Sequence, residues 1–240
     1  ADKKRHLAHF KKALDGLDRM EGDAYLSLKL DALDYDFDMF EELLNTAKKK
    51  GIRLHIDSLD PDSCELNFKF LEHFSQYNKF LGYTLPSRWK RSIKDAERVE
   101  DLGIAVRLVK GQWEDPDHNI NPYQNYLLLA KKLAGNIPYI GVATHDQRLA
   151  ATTLDILQNC GSHYEVEQFF SLPLNGLNLA NSSYCPYRIY IAYGYPAIPY
   201  NYRFAMTRPA LGFWMISDLA FGFKKPWEEK RTFIKQNSNS

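Results

Sequence analysis

The chain has 240 residues, 45% of them hydrophobic, which excludes a disordered protein and allows one domain with a sizeable core. Its formal net charge is +1, from 31 basic and 30 acidic side chains, so charge gives no reason to expect a nucleic-acid partner. Cys64, Cys160 and Cys185 are widely spaced and odd in number. This argues against a disulfide framework and for a reducing, cytoplasmic location, and no metal-ligand spacing is present.

The two ends of the chain differ in character from its middle. Residues 1–23 are charged and predict a leading helix rather than a signal peptide. The run "PALGFWMISDLAFGF" (209–223) contains Asp218 and is too short to span a bilayer. A packed helix is favoured there, with peripheral membrane contact as the alternative. We therefore expect a single barrel-like domain over 24–223 and a tail over 224–240.

Seven segments between these ends have the composition of strands, and most are separated by amphipathic helical patterns. Two of the helices, in 37–51 and 121–135, are predicted to end in lysines followed by glycine, as helix carboxyl ends prefer. Alternation of strands and helices predicts a parallel sheet, either in a barrel or doubly wound. The predicted strands are "YLSLKLDAL" (25–33), "GIRLHIDSL" (51–59), "KFLGYTL" (79–85), "GIAVRLVKG" (103–111), "IPYIGVATH" (137–145), "HYEVEQFF" (163–170) and "RIYIAYG" (188–194).

Charged residues on one face of several strands favour the barrel. A doubly wound sheet is covered by helices on both faces, so its strands are apolar throughout. A barrel with a polar lumen explains the pattern better, and its active site would lie at the carboxyl ends of the strands. A purely structural ion-pair network remains the alternative for each residue. The predicted lumen charges are Lys29, Arg53, Arg107, Asp31, Asp57, Glu165 and Glu167.

The strand count is one short of a closed eight-stranded barrel. The chain opens with a helix where such a barrel needs its first strand. We therefore predict an α/β fold, a distorted (β/α)8 TIM-type barrel that lacks its first strand in this chain. The leading helix, another chain or a further segment would cover the gap, because an open sheet edge invites pairing.

The strand ends together resemble the proline dehydrogenase family, flavoenzymes built on a distorted (β/α)8 barrel. Similar pieces occur in the family's order over most of the chain, and each lies at a strand end or opens the last helix. Seven such pieces in order make the resemblance specific to the family, although they do not fix the substrate. The pieces are "SLKLDAL", "LHIDSLD", "VRLVKGQW", "VATHD", "YEVEQFF", "RIYIAYG" and "PYNYRFAMTRP".

The resemblance implies FAD as cofactor. The "RLVKG" piece matches the family's flavin-contacting element, where a cation and a glycine turn approach the phosphates. The Thr-His pair of "VATHD" lies beside the cofactor in the family, and Trp113 stands near a family tyrosine. The implied cofactor-binding residues are Arg107, Val109, Lys110, Gly111, Trp113, Thr144, His145, Glu167 and Gln168.

The resemblance also implies a small amino-acid substrate. Lys29, Asp57, Tyr200 and Arg203 match the family's substrate-site lysine, aspartate, tyrosine and first arginine. A guanidinium suits a carboxylate because it donates two parallel hydrogen bonds. The family's second arginine is replaced here by Phe204 and its glutamate by Thr207, and the family's flavin-contacting glutamine falls at or near Pro86.

The expected function is oxidation of L-proline, or of a related imino or amino acid, by hydride transfer to FAD. Electrons would then pass to a quinone or another acceptor. One alternative is a Schiff-base lyase that uses Lys29 or Lys110 as the nucleophilic amine. Another is a non-catalytic, degenerate barrel that acts as a partner or regulatory subunit. We expect His55 to be a hydrogen-bonding group of the lumen rather than a catalytic base.

Overall fold

The computed structural model describes residues 2–20, 22–58, 60–111, 115, 120–170 and 176–193. Within these residues, seven parallel strands form one sheet whose spatial order is the chain order. The strands are β1 (Tyr25–Leu28), β2 (Arg53–Ile56), β3 (Leu81–Pro86), β4 (Ala105–Val109), β5 (Ile140–Ala143), β6 (Tyr164–Phe169) and β7 (Tyr187–Tyr190).

Helices connect the strands, as a parallel sheet requires. Two short 3₁₀ helices, Leu30–Leu33 and Ser75–Phe80, follow β1 and precede β3. The α-helices are α1 (Lys3–Asp18), α2 (Phe37–Lys49), α3 (Cys64–His73), α4 (Ser92–Leu102), α5 (Pro122–Leu133), α6 (Gln147–Asn159) and α7 (Gly176–Ser182).

The helix boundaries follow from local side-chain chemistry. The Asp36 side chain accepts a hydrogen bond from the Met39 N–H and so caps α2, which ends in Lys48 and Lys49. Asn121 caps α5 in the same way, before a proline in the first turn. Gly51, just after α2, has a φ of +67°, a conformation that favours glycine. The predicted lysine-and-glycine helix ends are confirmed for both helices.

The apolar core lies between the outward face of the sheet and the helices. Leu54, Leu85, Leu108 and Val142 on the strands are fully buried. Tyr126 of α5 is also buried, and its hydroxyl donates to the Leu108 carbonyl at 2.9 Å. Because these apolar side chains face the helices, every second residue of each strand points outward. The residues between them line the lumen.

The sheet curls until its two edges approach each other. The Tyr25 hydroxyl of β1 reaches Glu167 of β6 at 2.7 Å. Arg188 of β7 donates to the carbonyl and the carboxylate of Asp23, which precedes β1, at 2.7 and 2.6 Å. Helix α1 packs against β1 and α2. The predicted α/β barrel lacking one strand is therefore confirmed, with Arg188 bridging the gap between β1 and β7.

The first predicted strand is too long. β1 ends at Leu28, and residues 30–33 form a 3₁₀ helix, followed by Asp34 and Tyr35 with φ of +54° and +50°. Lys29 still has extended backbone, with φ of −105° and ψ of 128°, whereas Asp31 lies within the 3₁₀ turn and leaves the strand alternation. Both residues are exposed. The predicted lumen position of Asp31 was wrong, because period-two alternation holds only while the backbone remains extended.

The ends of the other strands also differ from the prediction, most clearly at β2 and β7. β2 ends at Ile56, although the Asp57 N–H still donates to the Leu28 carbonyl at 2.8 Å. β7 ends at Tyr190, before Ile191 and Tyr193, which are largely exposed.

Among the described residues, no helix has both the length and the apolar character needed to cross a membrane.

Candidate active site

Arg107 of β4 is the centre of the lumen. Its side chain is 6% exposed and forms an ion pair and hydrogen bond with Asp57, at the carboxyl end of β2. Its Nη2 also donates to Thr84 Oγ1 at 2.9 Å and to Ser27 Oγ at 3.1 Å. Asp57 and Arg107 were predicted from the sequence as site residues, and the structure brings them into direct contact.

A hydrogen-bonded chain leads from His55 to Asp57 through Thr84. Thr84 Oγ1 donates to Asp57 Oδ1 at 2.8 Å and lies 3.1 Å from His55 Nε2. Because the Thr84 proton is directed to Asp57, His55 must donate from Nε2, which assigns a neutral Nε2–H tautomer. Burial and the charge of Arg107 hold the His55 pKa well below its usual value. The predicted hydrogen-bonding role of His55 is consistent with this geometry.

Glu167 and Glu165 face the lumen from β6, and both are buried. Glu165 pairs with Arg188 Nε at 2.6 Å. Glu167 Oε1 accepts from the Tyr25 hydroxyl at 2.7 Å, and its Oε2 lies 3.9 Å from Arg107 Nη1. The lumen therefore has alternating charges: Arg107 pairs with Asp57, and Arg188 pairs with Glu165 as well as with Asp23.

Tyr190 is a member of this cluster that the sequence prediction missed. Its place in the sequence indicates an ordinary strand aromatic. Its hydroxyl lies 3.5 Å from Asp57 Oδ2, and the Arg107 guanidinium lies 4.9 Å from its ring centroid. The charge of Asp57, together with burial, raises the Tyr190 pKa to about 12. Tyr190 lies two residues after Arg188 on β7, so both side chains point to the same face of the sheet. This spacing is the signal that would have placed Tyr190 in the lumen.

A second group of predicted residues lies at the carboxyl edge of β4 and β5. Lys110 Nζ is 2.9 Å from Asp146 Oδ2, and Asp146 caps α6 by accepting from the Leu149 N–H at 3.1 Å. The Thr144 hydroxyl accepts from the Asp146 N–H at 3.1 Å. Burial raises the Asp146 pKa, but the stronger combined effect of Lys110 and the backbone donors lowers it. A cation, a hydroxyl and a helix N-terminus therefore meet at one edge.

Three further predicted cofactor residues have structural contacts. Val109 ends β4 and pairs with Pro86. His145 Nε2 accepts from the Phe169 N–H at 3.1 Å. Gln168 is buried, donates to the Thr144 carbonyl at 3.2 Å and accepts from the Gly176 N–H at 2.8 Å. Gln168 therefore joins β6 to β5 and to α7, a structural role that its prediction as a cofactor ligand did not include.

Gly111 follows Lys110 with a φ of +88°, and a Cβ built there would lie 2.9 Å from the Pro86 Cβ. Gly111→Ala is expected to destabilise the fold by about 2–3 kcal/mol, since the backbone conformation alone costs roughly 1–2 kcal/mol and the collision adds to it. Gly51→Ala is the matched control, because Gly51 also has a positive φ but has nothing within 4 Å of its built Cβ. Chemical denaturation of both variants measures the difference, and equal losses would contradict the collision.

The remaining predicted residues are separate from these two groups or lie outside the described residues. Lys29 is exposed just beyond β1. Trp113, Tyr200 and Arg203 lie outside the described residues, as do Phe204 and Thr207. The described part of the chain contains no cluster of His, Cys, Asp and Glu side chains that could hold a metal ion.

Comparison with known proteins identifies relatives of the chain. No family model matches it. Proline dehydrogenase 2 of Bacillus subtilis strain 168 is 26% identical over 219 residues, covering 85% of this chain and 70% of the relative. Proline dehydrogenase 1 of the same strain is 28% identical over 219 residues, with 83% and 71% coverage. These relatives confirm the resemblance to the proline dehydrogenase family.

Solved structures support the fold. Proline utilization A with proline bound in remote sites has a TM-score of 0.68 and 20% identity, and the match covers 79% of this chain. Proline utilization A from Bdellovibrio bacteriovorus, inactivated by N-propargylglycine, has a TM-score of 0.65 and 17% identity over the same share. The match spans only 24% and 26% of those chains, respectively. At these identities the likeness establishes the barrel fold alone.

Proposed function

We propose that the protein is an FAD-dependent dehydrogenase that oxidises L-proline or a related imino or amino acid. The observation that carries this proposal is the convergence of Asp57, Arg107 and Tyr190 in the lumen, with Lys110 at the carboxyl edge of the sheet. The names of the curated relatives support proline as the substrate class. The barrel supports the location, because active sites of such folds lie at the carboxyl ends of the strands.

The carboxyl edge fits the phosphates of a dinucleotide. Lys110 supplies the positive charge. Its side chain is 37% exposed, so its ammonium can leave Asp146 and bind another anion. Gly111 presents backbone without a Cβ, and α6 begins next to Thr144. Backbone N–H groups at a helix N-terminus and a lysine ammonium are common phosphate ligands. Lys110, Gly111, Thr144 and His145 would therefore hold the diphosphate region.

The lumen fits the reacting end of the site. When bound, FAD supplies the hydride acceptor, and the protein supplies binding, orientation and exclusion of water. Arg107 is held by Asp57 and Thr84, so its guanidinium is fixed before any ligand arrives. Tyr190 forms one wall beside it. We propose that Lys29, Tyr200 and Arg203 complete the substrate side, with Arg203 holding the carboxylate.

The acceptor and the location belong to the same proposal. Electrons would leave to a quinone or another acceptor, and the 209–223 segment would provide any peripheral membrane contact. That segment lies outside the described residues, so its aromatic composition is the support for this part.

The two alternatives, a Schiff-base lyase and a non-catalytic barrel, predict different experimental results. The lyase is not favoured, because the curated relatives are named proline dehydrogenases. An ultraviolet–visible spectrum of the purified protein, followed by dye reduction with L-proline, tests the proposal. A flavin spectrum with proline-dependent reduction supports it. A colourless protein that does not take up FAD supports the non-catalytic barrel, and trapping by borohydride with a carbonyl substrate supports the lyase.

Lys110→Ala is expected to weaken FAD binding by roughly tenfold to a hundredfold, the range for one charge-assisted hydrogen bond. The measurement is equilibrium titration of the apoprotein with FAD. Lys132→Ala is the matched control, since Lys132 is also an exposed lysine that pairs with an acid, Glu97, at 3.0 Å. Equal FAD affinity in the parent and both variants would remove Lys110 from the cofactor site.

A further inference from the structure

The carboxyl group of Glu167 differs from the other acids of the lumen in its hydrogen bonding. Asp57 accepts directly from Arg107, and Glu165 accepts from Arg188 Nε at 2.6 Å. Glu167 Oε1 accepts from the Tyr25 hydroxyl at 2.7 Å, but its Oε2 has no hydrogen-bond partner among the described residues. The residue is 3% exposed, so solvent contributes little to solvating that oxygen.

Arg107 is close to Glu167 but is oriented towards Asp57. The Arg107 Nη1 is 3.9 Å from Glu167 Oε2, which is too far for a hydrogen bond. The same Nη1 lies 3.4 Å from the Tyr25 hydroxyl. Its Nη2 donates to Asp57, Ser27 and Thr84. The guanidinium is therefore in reach of both acids and bonded to only one of them.

Ionising Glu167 in this position is unfavourable. An unpartnered anionic oxygen in a buried site costs far more than an unpartnered hydroxyl. Burial raises the Glu167 pKa, Arg107 opposes the rise, and the charge of Glu165 adds to it, so that the pKa lies at about 7. The titratable or charged groups around it are Tyr25 on β1, His55 on β2, Asp57 just after β2, Arg107 on β4, Tyr126 on α5, Glu165 on β6, and Arg188 and Tyr190 on β7.

We propose that Glu167 carries a proton in the lumen and is a positioning residue for Arg107. While neutral, it leaves the guanidinium bonded to Asp57. When it ionises, it competes with Asp57 for Arg107 and accepts a stronger hydrogen bond from Tyr25. The effect on flavin rests on the proposed function, whereas the protonation of Glu167 does not.

The pH dependence has a definite sign. The folded protein holds this proton more tightly than the unfolded chain, whose glutamate has the usual pKa of 4.5. The contribution of Glu167 to the free energy of unfolding is therefore largest at low pH and falls as pH rises from that value to about 7. Glu167→Gln keeps the shape of the neutral acid and removes the titration.

Infrared difference spectroscopy tests the proton directly. At about pH 6, below the Glu167 pKa, the parent should show the carbonyl band of a buried, protonated carboxylic acid. That band should be absent from Glu167→Gln and retained in Glu41→Gln, a control at an exposed glutamate. It should fade as the parent is titrated to about pH 8. If Glu167→Gln does not fold, Tyr25→Phe provides the test, because losing the Tyr25 hydrogen bond must shift the same band. A parent without the band at about pH 6 overturns the proposal.

The pH dependence of FAD affinity tests the positioning role. In the parent, affinity is expected to fall by about tenfold between about pH 6 and 8, the loss of one charge-assisted hydrogen bond from Arg107. In Glu167→Gln the affinity should be flat over this range. An equal fall in both proteins overturns the positioning role. If neither protein binds FAD at any pH, the proposed function fails, and the infrared band still decides the protonation of Glu167.

Discussion

Replacing Arg107 with methionine is expected to lower the free energy of unfolding by about 3–5 kcal/mol, the usual cost of leaving a buried charge without its partner. Among the described residues, Asp57, whose side chain is 15% exposed, would keep the hydroxyls of Thr84 and Tyr190 as its remaining side-chain partners. Thr84 and Ser27 would also lose a donor. Urea denaturation followed by circular dichroism measures the loss.

Two comparisons separate the buried ion pair from a general effect of losing an arginine. Arg98→Met removes a more exposed arginine that pairs with Glu65 and Glu72, and a loss of about 1 kcal/mol is expected. Adding Asp57→Asn to Arg107→Met should restore part of the stability, since no buried charge then remains unpaired. Similar losses for the two single variants, with no recovery in the double variant, would contradict the central role of the Arg107–Asp57 pair.

Phe204→Arg is expected to raise the turnover of L-proline by roughly tenfold to a hundredfold. In the resemblance to the proline dehydrogenase family, Phe204 takes the place of the second of two carboxylate-binding arginines. Phe204 lies outside the described residues. A phenylalanine ring cannot donate to a carboxylate, and a restored charge-assisted contact is worth about 1.5–3 kcal/mol. Steady-state kinetics with an artificial dye acceptor measures kcat/KM for proline.

Two companion variants make this measurement specific. Phe204→Met removes the ring without adding a cation and should give no gain. Thr207→Glu, added to Phe204→Arg, supplies a carboxylate that pairs with the new arginine and fixes its rotamer, so the gain should grow. High proline turnover by the parent chain, unchanged in Phe204→Arg, would show that position 204 does not set the substrate.

Much of the fold follows from local patterns in the sequence. Strand composition, helix periodicity and capping residues are short-range properties, so the order of seven parallel strands could be predicted from them. The lumen face of β4 and β6 was also predicted correctly, because Arg107, Glu165 and Glu167 lie in regular extended backbone where parity fixes direction. The same argument failed at Asp31, where a 3₁₀ turn interrupts the strand.

The partners of the lumen residues could not be predicted. Tyr25 and Glu167 are 142 residues apart, and only the curling of the sheet brings them to 2.7 Å. The hydrogen bonds of Gln168 and the position of Tyr190 beside Arg107 also depend on the curling of the sheet.

The sequence by itself determined which residues are charged, which are extended and which end a helix. Those properties depend on a few neighbouring residues. The tertiary structure decided which acid each arginine binds and which acid has no cation at hydrogen-bonding distance within the described part of the chain. Asp57, Glu165 and Glu167 have similar patterns in the sequence, yet Arg107 and Arg188 bond directly to only the first two. Charge pairing in a buried lumen depends on side-chain distances of a few ångströms, and packing across the whole sheet sets these distances.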